Sequence, residues 1–254
     1  MFLPKTPSFR LDGKRALVTG GTRGIGLGAS VALAEAGAHV TVAARTAGDV
    51  EQVVNQMAAV GYVVEGVALD ITDFEAVRTF VADSAPFDVL VNSAGTARHS
   101  DLAGVTPADY QAVMQVNLGA TLFVTQAVAG KLQAAGQGGS IINVSSQMGH
   151  VGGPSRAVYA ASKHAVEGLS KALAIELGAS NIRINTVCPT FIETELTAKN
   201  LSDPDFRAWV LSKIKLGRLG RVEDIMGPIV FLASDAASLV TGTALMVDGG
   251  WTAE

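Results

Sequence analysis

Tyr159 and Lys163 stand four residues apart, in a stretch that opens with Ser146 and reads SQMGHVGGPSRAVYAASK. On a helix, positions i and i+4 lie one above the other, which puts an ammonium beside a phenol. A free tyrosine titrates near pH 10. Its use as an acid or base near neutrality asks for a shift of roughly 3 units, about 4 kcal/mol in favour of phenolate. A lysine charge in a partly dry site can supply much of that. Ser146 carries a hydroxyl that both donates and accepts, and so suits a carbonyl or alcohol oxygen. The same residue types also make ordinary surface pairs and turns, so the elements that carry them must decide.

Val158, Val166, Leu169, Leu173 and Leu177 predict a helix from about 158 to 177, and Ser140 to Val144 reads as a buried strand. Gly149, Gly152, Gly153 and Pro154 mark the loop that would fold Ser146 back toward the tyrosine. Near the start, Arg15 to Gly26 passes from a short apolar strand through a glycine-rich turn into a helix ending near Gly37. Glycines let backbone N–H groups approach a pyrophosphate, and a helix N-terminus adds partial positive charge. The spacing of Gly20, Gly24 and Gly26 departs from G-x-G-x-x-G. A second strand, His39 to Ala43, ends in Ala44-Arg45 with no carboxylate to hold a ribose 2′-hydroxyl. Arg45 and Arg23 could instead bind a 2′-phosphate, at roughly 1.5–3 kcal/mol per charge-assisted bond, or could simply be solvated.

Helical and strand-like segments then alternate: helices over 49–60 and 73–83, strands over 63–69 and 89–91. This rhythm predicts a parallel sheet with helices on both faces, and too few pairs occur for a βα barrel. Ligands of such sheets sit outside the carboxyl ends of strands, where Asp70 and Asn92 fall. Asp70 could accept from an adenine amino group or cap the next helix. Thr106 to about Ala135 reads as one long helix containing Asn117, which if buried must hold a water, an open carbonyl or a neighbouring helix. A sixth strand, 182–187, leads into Cys188-Pro189-Thr190. Residues 190–216, with one short helix over 203–214, read as a substrate loop or lid. A helix over 222–233 and a strand over 244–250 close the chain. Residues 1–254 read as a single domain, with Met1 to Arg10 as a surface extension.

Hydrophobic residues make up 48% of the 254, glycine is abundant, and the net charge of −4 offers no basic surface, which argues against nucleic acid. The only cysteine, Cys188, can form no intrachain disulfide. With no signal-like segment and no run of about 20 apolar residues, a cytoplasmic protein that does not span a membrane is expected. His39, His99, His150 and His164 lack paired metal-ligand spacing, so no metal is expected.

From about Leu11 to Trp251 the chain resembles the short-chain dehydrogenase/reductase family. Thr19-Gly20-x-x-x-Gly24-Ile25-Gly26, Asn92-Ser93-Ala94-Gly95, Asn117, Ser146, Tyr159-x-x-x-Lys163 and Val247-Asp248-Gly249-Gly250 follow the family's order and spacing. The resemblance implies an α/β fold, a Rossmann-type doubly wound parallel seven-stranded sheet, and a homotetramer built through the Asn117 and Tyr159 helices and the last strand. It implies Tyr159 as general acid/base, Lys163 lowering its pKa and binding the nicotinamide ribose, Ser146 holding the substrate oxygen, and Asn117 holding a water. For the cofactor it implies Gly20, Thr22, Arg23, Gly24, Ile25, Gly26, Arg45, Asp70, Ile71, Asn92, Ala94, Gly95, Pro189, Ile192 and Thr194, together with Tyr159 and Lys163. Ser146, Gln147, His150 and Tyr159 are the expected substrate pocket, with Arg98 and His99 nearby. Ser93 stands where a second asparagine is frequent, and Thr190 where glycine is usual. The expectation is an oxidoreductase that prefers NADP(H), with NAD(H) as the second choice, and interconverts a secondary alcohol and a ketone on a polyol, sugar or sugar acid. A 3-oxoacyl-carrier-protein reductase is the alternative. A non-catalytic cofactor-binding regulator is a third reading, against which the complete Asn117, Ser146, Tyr159 and Lys163 set argues.

Overall fold

The computed structural model describes residues 3–253, apart from the side chain of residue 199. Seven short runs rich in valine, isoleucine and leucine form strands: β1 (Arg15–Thr19), β2 (His39–Ala44), β3 (Val64–Ala68), β4 (Val89–Asn92), β5 (Gly139–Val144), β6 (Ile182–Pro189) and β7 (Ala244–Val247). All pair in parallel, in the order β3-β2-β1-β4-β5-β6-β7. Continuous apolar runs suit such strands because helices cover both faces. The chain order reverses between β1 and β4, where Leu17 lies opposite Leu90 and Thr19 opposite Asn92, and a crevice opens beyond such a reversal.

Helices α1 (Gly24–Glu35), α2 (Ala47–Ala59), α3 (Phe74–Asp83), α4 (Pro107–Met114), α5 (Thr121–Ala134), α6 (Ala157–Leu177), α7 (Glu195–Leu201), α8 (Pro204–Lys213) and α9 (Glu223–Ala233) complete the fold. One face is sealed by Leu33 of α1, Val53 of α2 and Ile229 and Leu232 of α9, packed on Val40, Val91 and Ile142. The other is sealed by Val77 of α3, Val124 and Val128 of α5 and Ala174 of α6, packed on Leu17, Leu90 and Ile141. A smaller cluster above the carboxyl edge joins Met148, Phe191, Val210 and Trp251.

Three expectations need correcting. The predicted helix over 106–135 is interrupted by a π-helical turn, Gln115–Ala120, between α4 and α5. By length and hydropathy alone, Pro107–Ala134 is also long and apolar enough to cross a membrane, yet Val124, Val128 and Leu132 pack it into the core. In the predicted loop, α7 was not foreseen, because its seven residues carry no apolar period. The last strand stops at Val247 rather than Gly250. Asp248 turns the chain by accepting from Gly250 N, Thr252 N and Thr252 Oγ1, and Gly249 and Gly250 take positive φ. The amino-terminal segment lies against α9 and α1: Phe9 stands 6.3 Å from Phe231, and Arg10 Nη1 donates to Glu35 O.

Candidate active site

The turn after β1 folds beneath the exit of β4. Gly20 has φ +65°, and a Cβ there would lie 2.8 Å from Ala94 Cα, while a Cβ on Gly26 would collide with the Gly20 carbonyl. Thr19 Oγ1 accepts from Ser93 N at 3.2 Å and Ala94 N at 3.4 Å, tying the two strand exits together. At Gly95 a Cβ would stand 3.5 Å from Asn117 Oδ1 and 3.9 Å from Lys163 Nζ. Glycines thus line a backbone-walled cradle that runs from the N-terminus of α1 to Lys163, a shape that fits a dinucleotide. Ile25 and Ile71 contribute apolar contacts to the two core clusters below it, and Thr22 is half-buried beside it.

At the cradle's far end Arg23 and Arg45 are solvent-facing. Arg23 lies 3.9 Å from Glu195, and Arg45 helps hold the Asp70 carboxyl below its usual range, chiefly set by hydrogen bonds from Thr72. Asp70 Oδ1 accepts from Thr72 N and Oγ1 in the turn before α3, whose N-cap is Asp73, so Asp70 does not cap that helix. Asn92 spends both amide hydrogens inside the protein, on Thr125 Oγ1 at 3.0 Å and Asn143 Oδ1 at 2.9 Å. Through these two hydrogens it braces β4 against β5 and α5. Pro189 pairs with Val247, Ile192 bridges Gly220, and Thr194 reaches the position of Gly24, where a Cβ would meet it at 3.4 Å. Thr190 keeps a buried hydroxyl with no partner among the described residues, a donor available at the end of β6.

Asn117 sits in the π-helical turn and reads the backbone of Thr96 as a strand would. Its Oδ1 accepts from Thr96 N at 2.8 Å, and its Nδ2 donates to Thr96 O and to Ser162 Oγ, both at 3.0 Å. The side chain is thus held by three protein partners. The widened turn opens the Asn117 carbonyl, to which Thr121 Oγ1 donates at 2.8 Å.

Ser146 follows β5, donating to Gln147 Oε1 at 3.0 Å and accepting from Met148 N at 3.1 Å. Tyr159 and Lys163 lie one turn apart on α6, as predicted, and Lys163 Nζ stands 5.7 Å from the phenol ring while donating to Val144 O at 2.9 Å. Burial lowers Lys163 to about 8, against the pull of Cys188 and Glu167. Burial also raises Tyr159 above its ordinary value, with the Ser146 hydroxyl and the Arg156 guanidinium pulling the other way. In this structure desolvation outweighs the Ser146 and Arg156 contributions to the phenol. A protonated phenol in this place is a proton donor.

Sequence reasoning missed Arg156. It is buried three residues before the tyrosine, with its Cζ 5.5 Å from the Phe191 ring and 5.0 Å from the Phe206 ring, and Nη1 donates to Pro154 O. No carboxylate pairs with it among the described residues. His99 packs edge-on to Tyr159 at 6.0 Å, and burial beside Arg156 lowers it to about 4, so it is neutral at pH 7. A cavity of about 310 Å³ is lined by Arg98, His99, Ser100, Asp109 and Val158, next in sequence to the tyrosine. Of the other predicted pocket residues, Gln147 is buried against Ser146, whereas the His150 ring nitrogen is engaged elsewhere, 3.6 Å from Glu167 and 3.5 Å from Cys188. Folding brings the His150, Glu167 and Cys188 side chains together although no linear spacing pairs them.

A doubly wound sheet with a glycine cradle leading to a buried serine, a half-buried tyrosine and a buried lysine defines an oxidoreductase of the dinucleotide-binding class. Residues 20–252 match the family described as enoyl-(acyl carrier protein) reductase. The chain is 41% identical to D-erythrulose reductase of Gallus gallus over 245 residues, covering 96% of this chain and 98% of the relative. It is 38% identical to gluconate 5-dehydrogenase of Gluconobacter oxydans (strain 621H), covering 96% of each. The crystal structure of a gluconate 5-dehydrogenase from Burkholderia cenocepacia J2315 in complex with NADP and tartrate superposes with a TM-score of 0.93 at 37% identity, covering 97% of this chain and 98% of the other. The chain belongs to the short-chain dehydrogenase/reductase family, whose members act on CH–OH and C=O groups.

Proposed function

We propose that the protein is an NADP(H)-preferring oxidoreductase that interconverts a secondary alcohol and a ketone on a polyol, sugar or sugar acid. The observation that carries this reading is the half-buried Tyr159 one turn from buried Lys163, with Ser146 at the end of β5 and a polar cavity beside them. When bound, the nicotinamide supplies or accepts the hydride. The chain's own part is to hold and to move a proton. Ser146 Oγ donates to the substrate oxygen and fixes its direction; Tyr159 gives its phenolic proton to that oxygen as negative charge develops on it, and takes the proton back in the oxidative direction. Lys163, held by Val144 O, keeps positive charge beside the phenolate so formed. The Thr96 backbone, clamped by Asn117, shapes the wall of the cradle.

Arg23 and Arg45 are the groups for a 2′-phosphate. Arg156, a buried cation without a carboxylate partner among the described residues, supports a sugar acid over a neutral ketose. The family description keeps an acyl-carrier substrate as the second reading. A cavity lined by Arg98, His99 and Asp109 suits hydroxyl groups better than an acyl chain. A homotetramer in the cytoplasm completes the proposal: Tyr110 on α4 and Ile175 on α6 are exposed on the helices such an assembly would pair.

Parallel assays with NADP(H) and NAD(H) against sugar acids, polyols and a 3-oxoacyl thioester test it. Tyr159→Phe is expected to lower kcat by about 10²–10⁴ with cofactor binding kept, and normal turnover would refute the mechanism. Arg45→Ala is expected to cost NADP(H) roughly 1.5–3 kcal/mol of binding and NAD(H) little.

A further inference from the structure

We propose a binding site for a borderline-soft divalent cation, zinc by preference, formed by Cys188 Sγ, His150 Nε2 and a carboxylate oxygen of Glu167 on the far side of the Lys163 turn. The three donors come from the loop before α6, from α6 itself and from β6. Sγ lies 3.2 Å from Glu167 Oε1 and 3.5 Å from His150 Nε2, and the nitrogen and carboxylate oxygen are 3.6 Å apart. Donors bound tetrahedrally to zinc at about 2.0–2.3 Å stand roughly 3.3–3.6 Å from one another, so the triangle already has the size the ion requires.

Two further observations point to a cation. The Glu167 carboxylate is buried, and its one ion-pair partner among the described residues is His150, which is charged only when protonated; it accepts hydrogen bonds from Thr186 Oγ1 and the thiol. A buried carboxylate in that position is costly unless positive charge joins it. Ser145 Oγ is buried with no partner among the described residues, and it flanks the same space as the Glu167 side chain: a Cβ on Gly149 would stand 3.0 Å from Ser145 Oγ and 3.1 Å from Glu167 Cγ. It is placed to serve as a fourth oxygen or to hold a water on the ion. Cys188 is wholly buried and Glu167 nearly so, but the His150 side chain is 29% exposed and provides the way in. Binding releases the Cys188 thiol proton to solvent, leaves His150 neutral with Nε2 as donor, and creates no charge beyond what the ion neutralises. An ion so held would pin the turn behind Ser146 to α6 and β6.

The test uses the purified full chain, stripped with a chelator and desalted, with Co²⁺ as probe. A thiolate-to-cobalt charge-transfer band together with tetrahedral ligand-field bands, saturating at one equivalent per chain and displaced by Zn²⁺, is the expected result. Cys188→Ser should abolish the charge-transfer band, and His150→Ala should weaken Co²⁺ affinity at least tenfold, both judged on variants with unaltered circular dichroism. If Cys188→Ser does not fold, His150→Ala at the accessible edge still decides. No band in the native chain, a band that survives Cys188→Ser, or unchanged affinity in His150→Ala would overturn the site and leave a hydrogen-bonded cluster with a neutral thiol. None of these readouts depends on the oxidoreductase reading.

Discussion

Of the places where this molecule departs from regular backbone geometry, the turn after β1 and the π-helical turn make room in opposite ways. In the turn from Gly20 to Gly26, space is made by leaving side chains out: the Gly20 carbonyl lies where a Gly26 side chain would be, and Ala94 lies against Gly20. In the turn from Gln115 to Ala120, space is made by winding the helix wider, and a side chain is put in to do a backbone's work. Asn117 meets both the N–H and the C=O of Thr96, while its own carbonyl passes to Thr121. The first device demands a residue type at a fixed place. The second demands a set of partners that only the fold can assemble.

Filling the first should do more harm than emptying the second. Gly26→Val drives a branched side chain into the Gly20 carbonyl and should destabilise the protein by about 3 kcal/mol or more, with NADP(H) affinity falling with it; thermal melting and cofactor titration read both. Asn117→Ala leaves Thr96 N–H and C=O and Ser162 without their partner, at about 1–3 kcal/mol. Here the loss should fall on turnover and on melting temperature more than on cofactor affinity. If the two variants lose cofactor affinity equally, the distinction between the two devices fails.

The smallest effect is reserved for His99, on the segment that Asn117 clamps. Its folded pKa of about 4 lies below the ordinary value of 6.5. Between pH 6.5 and 4 the unfolded chain therefore binds a proton that the folded chain refuses, and stability falls as pH falls through that window. Because the ring is about half in solvent, screening limits the effect to about 1 kcal/mol. His99→Gln should remove that part of the acid sensitivity, seen as a smaller shift in urea midpoint between pH 7 and pH 4.5.

The glycine device was readable in the chain because glycine is the only residue whose presence reports missing volume. The strands were readable for a related reason: a run such as Ile141-Ile142, buried on both faces, tolerates nothing polar at its centre. The Tyr159 and Lys163 pair followed from helical spacing alone. The π-helical turn left no such mark, since Asn117 in an apolar segment is compatible with several partners. Arg156 was passed over because its burial depends on Phe191 and Phe206, some 35 and 50 residues on. The grouping of His150, Glu167 and Cys188 arises from register across β6 and α6, which no linear spacing encodes. The desolvation that raises the Tyr159 phenol left no mark either, because charge is visible in a sequence and burial is not.

The bridge between Ile192 and Gly220 has a kinetic consequence. Glu193 N donates to Gly220 O, Gly220 N donates to Phe191 O, and Leu216 N donates to Gly249 O. The intervening segment, with α7 and α8, is thus a closed ring of chain whose ends are already joined. Its closure entropy is met in the folded ground state, so displacement of α7 and α8 need not pull the strand ends apart. Any displacement of such a segment would pivot about two joined ends rather than unzip from one, and it would have to break the contacts of Phe191, Phe206 and Trp209 with Trp251 and Arg156 before disturbing the sheet beneath.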